Sequence, residues 1–116
     1  IDKVIKQHRT WVEGDTAAWH YCLSISLDDI YKFINEDRID YLKSDCQGAE
    51  KLFLSKTDLS KVMQLALEVH YDPEVIEPSE LKGMIDNIEK YHNISWYNRE
   101  EEGVTGAAGC LFSYRK

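Results

Sequence analysis

Asp45, Glu68 and His70 are the residues of this sequence whose types and spacing could do chemistry. Carboxylates and an imidazole can exchange protons near neutral pH. The same donors suit a divalent metal, although the spacing D-x22-E-x-H is not specific to that use. Glu68 and His70 are two residues apart, so they share a face of any extended strand. Close to Asp45, Gln47-Gly48 reads as a turn, and Gly48 leaves room for a ligand. Each residue also has a plainer reading. His70 can be a hydrogen-bonded histidine at a strand end. Asp45 can be a turn-former that receives backbone N–H groups. Glu50 can favour the positive end of a helix dipole.

The elements that must position these groups follow from periodicity. Ile39 to Cys46 reads as a strand and Ala49 to Leu54 as a short helix. Val62 to His70 is the most apolar stretch, with the length and flanks of a strand buried on both faces. In open α/β sheets, ligands sit at the C-terminal ends of parallel strands. Asp45 and His70 end adjacent strands in this reading, so they are expected to approach each other there.

Upstream, Trp11 and Val12 hint at a short strand, and Ala17 to Ser24 reads as another. Ser26-Leu27-Asp28-Asp29 resembles a capping box, followed by a helical stripe of Leu27, Ile30, Tyr31 and Ile34 that ends near Asn35. Downstream, Pro78 sits at a first helical position. Leu81, Met84, Ile85, Ile88 and Tyr91 then make a long apolar stripe, read as core, and Asn93 is a fair stop. Ile94 to Arg99 and Cys110 to Arg115 read as strands across a loop, residues 100–109. Alternating units argue for a parallel sheet with crossover helices. The last two strands have no helix between them and are expected to pair antiparallel.

Ile39-Asp40-Tyr41-Leu42-Lys43-Ser44-Asp45-Cys46-Gln47-Gly48-Ala49-Glu50 resembles the central motif of FkbM-type and related methyltransferase-like proteins, roughly I-D-x-L-K-x-D-x-E-G-x-E. Gln64 to His70 is similar to the family's next strand, which often ends in Glu-hydrophobic-His. Ser26-Leu27-Asp28-Asp29-Ile30 resembles its T-L-D-D-I helix start. The run from Ile94-Ser95-Trp96 to Cys110-Leu111-Phe112 resembles its last two strands. Together these cover most of residues 22–116. The resemblance implies an S-adenosylmethionine-dependent methyltransferase with a Rossmann-like α/β sheet. Two departures matter. A family Glu is Gln47 here, and no Gly-rich strand-to-helix turn for the cofactor exists in the sequence, since Gly103, Gly106 and Gly109 fall late. The expectation is therefore a single partial domain over residues 1–116, corresponding to the C-terminal half: strands four to seven of seven, parallel strands with a terminal antiparallel hairpin. Methyl transfer needs an oriented nucleophile and sometimes a base. On this reading His70 is the base or binds substrate, Asp45 contacts substrate or cofactor, and Gln47, Gly48 and Glu68 line the substrate site.

Composition narrows the partners. With 43% hydrophobic and 30% charged residues the chain is globular rather than disordered. A net charge of −7 without a basic face argues against nucleic acid. No apolar run approaches the roughly 20 residues of a membrane span. Starting at Ile1, with no apolar signal core, suggests a fragment. Cys22, Cys46 and Cys110 are odd in number and far apart, so free or buried thiols are expected and no metal site is assigned. His8 and His20 read as surface positions, Trp11, Trp19 and Trp96 as packing residues, and Glu100-Glu101-Glu102 as a solvated loop. Asn93-Ile94-Ser95 matches the glycosylation sequon.

Three functions compete. The first is part of a methyltransferase acting on a small-molecule or glycan-type acceptor, inactive as this chain alone. The second is a non-catalytic binding module of the same fold, motivated by Gln47 and the absent Gly-rich turn. The third is a metal-dependent hydrolase using Asp45, Glu68 and His70. A half-sheet also leaves its first strand as an open edge, which predicts dimerisation or aggregation unless residues 11–24 cover it.

Overall fold

The computed structural model describes residues 25–100 and 105–116. The strands read at Trp11-Val12 and at Ala17 to Ser24 lie outside the described residues, as do Trp11, Trp19, His8, His20 and Cys22.

The order is α1 (Leu27–Ile34), β1 (Leu42–Ser44), α2 (Glu50–Leu54), β2 (Gln64–His70), α3 (Pro78–Tyr91), β3 (His92–Tyr97) and β4 (Ala108–Arg115). The capping box is present. Ser26 accepts from the Asp29 N–H at 3.1 Å, and Asp29 Oδ2 accepts from the Ser26 N–H at 3.0 Å. These bonds, the Ser26 hydroxyl first, hold the Asp29 carboxyl below its ordinary range. The helix ends at Asn35, whose left-handed backbone (φ 53°) breaks the turn.

The four strands form one mixed sheet in the order β1-β2-β4-β3. β1 pairs with β2 in parallel, with Ser44 opposite Leu67. β4 pairs antiparallel with both β2 and β3. The antiparallel pairing of the last two strands follows the expectation. The insertion of β4 between β2 and β3 is not something their sequences specify. β1 is shorter than the strand read from Ile39 to Cys46. Ile39 keeps one bridge to Val62, but Asp40 is a poor strand former and leaves the ladder.

Alternation along the strands sorts the two faces. Leu65, Leu67 and Val69 of β2 and Leu111 of β4 point to one side and are buried with Leu81, Met84 and Ile88 of α3. The α3 stripe is thus core, as its spacing requires. The other face carries Gln64, Ala66, Glu68 and His70 beside Tyr114, Phe112, Cys110 and Ala108. Ala66 is buried there, but Phe112 stays 47% and Tyr114 59% exposed. β2 is therefore buried on both faces only at its middle. Asn87, buried in α3, donates to the carbonyls of Leu54 (2.7 Å) and Thr57 (2.9 Å) and so ties α3 to the end of α2.

Candidate functional site

β1 and β2 run side by side in the same direction, so their C-terminal ends open on one edge of the sheet. Asp45 is the first residue past β1, and His70 is the last of β2. After Asp45 the chain reverses in a tight turn closed by the Ala49 N–H on the Cys46 carbonyl at 3.1 Å. Its two central residues, Gln47 (φ 53°) and Gly48 (φ 94°), both have positive φ. That is the pattern of a type I′ turn, and it explains glycine at 48. The turn sends Glu50, the first residue of α2, back toward the strand ends.

Asp45, Glu50 and His70 meet there, each offering a ligand atom, with those atoms all within 4.8 Å of one another. Glu50 is only 2% exposed. Its Oε1 accepts from the Cys46 N–H at 2.6 Å and lies 3.7 Å from His70 Nδ1. Glu50 thus braces the turn and faces the histidine, where the sequence suggested a dipole effect alone. At 3.7 Å the contact with His70 is electrostatic and too long for a hydrogen bond. Nδ1 is buried and has no hydrogen-bond partner among the described residues. The Glu50 carboxylate raises the pKa of His70 above its ordinary value, helped by Glu68 and Asp45 and opposed by burial.

The other expected site residues fall around this cluster. Gln47 donates from Nε2 to Asp45 Oδ1 at 3.1 Å, a side-chain bond across the start of the turn. Gly48 is buried in the turn. Glu68 shares the His70 face of β2 and acts on His70 through its charge, but it lies outside the three-residue cluster. The structure brings together the aspartate and histidine expected at the strand ends, and the carboxylate that joins them is Glu50, with Glu68 beside them on β2. The signal for Glu50 was the Gln47-Gly48 turn, which brings the residue three past it back over the strand end.

A frame beside the site keeps β2 in place. Tyr71, just after His70, shares its O–H between the carbonyls of Glu100 (2.7 Å) and Ala108 (2.8 Å). Asp72 accepts from the N–H groups of Glu74 (2.9 Å) and Gly106 (2.6 Å). Glycine at 109 suits this close packing. A Cβ there would sit 3.1 Å from both the Arg99 Cα and the Tyr71 hydroxyl. Trp96 packs edge-on against Tyr71 at 6.3 Å with the Arg99 guanidinium over its ring, so it is a packing residue, as read.

The methyltransferase FkbM domain matches residues 22–94, a span that holds α1, the turn and all three cluster residues. The chain belongs to this family. No curated protein and no solved structure matches it. The mixed α/β sheet is compatible with a methyltransferase-like fold, and the FkbM motif of the sequence maps onto β1, the turn and the start of α2. No helix among the described residues is long and apolar enough to cross a membrane.

Proposed function

We propose that this chain is the C-terminal part of an S-adenosylmethionine-dependent methyltransferase that acts on a small-molecule or glycan-type acceptor. One observation carries the reading. The family motif delivers Asp45 and Glu50 to His70 at the C-terminal ends of two parallel strands, the edge where ligands bind in open α/β sheets. The cofactor supplies the methyl group when bound. The Gly-rich turn that would hold it is not among these residues, and the edge of β1, which among the described residues pairs with β2 alone, is where its strands would continue a Rossmann-like sheet. On this assignment β1 to β4 are the last four of seven strands.

At the site, Nδ1 of His70 is turned inward against Glu50, which leaves Nε2 to meet the acceptor hydroxyl. There it positions the hydroxyl or takes its proton, and the neighbouring carboxylates favour the charged ring that results. Asp45, exposed at the mouth and braced by Gln47, contacts the acceptor. Gly48 allows the tight turn beside it, and Glu68 adds polarity on the β2 side.

In the complete enzyme, His70→Ala should lower turnover by about 10²- to 10⁴-fold, the usual weight of a positioned acid–base group. The circular dichroism spectrum should not change. Normal turnover by that variant ends the assignment of His70. This 116-residue chain alone should not bind S-adenosylhomocysteine in calorimetry; micromolar binding would mean that a cofactor site lies within it. A second reading, a non-catalytic module, is favoured by Gln47. Its amide occupies an Asp45 oxygen where the family's carboxylate would be.

A further inference from the structure

We propose that Asp45, Glu50 and His70 form a binding site for a divalent transition-metal ion of the zinc or manganese kind, at the C-terminal ends of β1 and β2.

Three observations converge on it. The first is the donor set. One imidazole nitrogen and two carboxylate oxygens, from three separate positions of the chain, converge within 4.8 Å. A mixed nitrogen and oxygen set suits borderline ions better than magnesium or calcium, which prefer oxygen alone. Metal–ligand bonds of about 2.0–2.2 Å let one ion join donors up to about 4 Å apart. The 3.7 Å between His70 Nδ1 and Glu50 Oε1 meets that limit without movement. Asp45, exposed and bonded by the Gln47 amide, has its ligand atom within the same 4.8 Å, so a small turn of its side chain brings an oxygen to the ion.

The second is the histidine itself. Nδ1 is shut off from solvent and has no hydrogen-bond partner among the described residues. A buried polar atom without a partner is rare and costly in a folded protein. This one points at a carboxylate from just beyond hydrogen-bond range, a gap that an ion bound to both would close.

The third is charge. Two carboxylates of the cluster, with Glu68 on the same face as His70, concentrate negative charge at the strand ends. Arg38, Lys51 and Lys82 pair with carboxylates elsewhere. The ligands are also held from behind. The Cys46 N–H fixes Glu50 at 2.6 Å, and the Gln47 amide fixes Asp45 at 3.1 Å. Such outer partners orient ligands in metal sites.

Three protein ligands leave positions open on the ion. On the methyltransferase reading above, an acceptor hydroxyl would take one of them. His70 would then hold the ion, and lowering the hydroxyl's affinity for its proton would fall to the ion. Binding of the ion does not depend on that reading.

The test is calorimetric titration of the 116-residue chain with Zn²⁺, with Mn²⁺ and Mg²⁺ titrated in parallel. The wild type should bind one Zn²⁺, and more tightly than Mg²⁺. His70→Ala and Asp45→Asn should each weaken Zn²⁺ by at least about tenfold, the loss that even an outer-partner change produces. Asp45 is exposed, so its variant keeps the fold even where a change at buried Glu50 does not. Cys46→Ser should bind as the wild type does. No Zn²⁺ or Mn²⁺ binding by a folded wild type overturns the site. So does equal binding by the Asp45 and His70 variants, or loss of binding on Cys46→Ser. None of these failures touches the methyl-transfer reading, which is tested by turnover and cofactor binding.

Discussion

His92 is enclosed at the start of β3, with Nδ1 2.9 Å from the Ser113 hydroxyl and Nε2 buried without a hydrogen-bond partner among the described residues. Burial holds its pKa below the ordinary value near 6.5, and the backbone groups of Leu59 and Val62 oppose this only in part. The unfolded chain therefore takes up the proton before the folded one does. Stability from this group is complete above pH 6.5 and is lost as the pH falls below it toward the folded value. His92 should pull the urea midpoint down between pH 7.5 and pH 5, against the opposite contribution of His70, and the His92→Gln variant should lose less stability than the wild type over that interval. An unchanged slope would mean that His92 is not the group responsible. At the same scale, Asp45 and His70 were legible because both sit at strand ends, which hydrophobic patterning locates. Glu50 was not, because its place depends on two successive positive-φ residues, and periodicity carries no trace of them. Glu68 shares the His70 face of β2 but is not one of the three residues whose ligand atoms converge. Sharing a face with His70 sets direction along a strand but says nothing of what crosses from the neighbouring loop.

The helices show a related division. The α3 stripe was plain in the sequence, because Leu81, Met84 and Ile88 recur at helical spacing and all belong to the core. Asn87 lies among them and is equally buried, yet apolar periodicity passes over it. Its side chain supplies N–H groups to two carbonyls at and beyond the end of α2, where the helix's own donors have run out. Asn87→Ala should cost about 1–3 kcal/mol in urea unfolding, since those carbonyls lose their donors away from water. A change within a few tenths would mean that water replaces the amide. α2 begins at Glu50, so loosening its far end also loosens the cluster. Strand boundaries moved for local reasons. β3 begins at His92 and β4 at Ala108, two residues before each expected start, because the pairing of His92 with Arg115 and of His70 with Ala108 extends both ladders.

For the whole molecule, the fold class followed from alternating strand and helix signals together with the FkbM motif, whereas strand order did not. Nothing in the composition of residues 108–115 distinguishes a sheet edge from a sheet interior. The outcome leaves β1 bonded to β2 alone among the described residues, and Tyr97, Phe112 and Tyr114 open on the strands away from it. An unpaired edge and exposed aromatic side chains both favour association with another chain. Sedimentation velocity should show concentration-dependent self-association. A clean monomer would mean that the edge is covered within the chain.

The place of β4 also has a consequence for synthesis. β2 and β3 share no hydrogen bonds; each reaches the other only through β4, which is made last. At about 5–20 residues per second, a ribosome needs a few seconds to go from His70 to Arg115. Through that interval Leu65, Leu67 and Val69 have α3 to pack on but lack the strand that completes their layer. The nascent chain therefore waits with its central seam open, and a message truncated before residue 108 would yield β3 with nothing to join it to the β1–β2 pair.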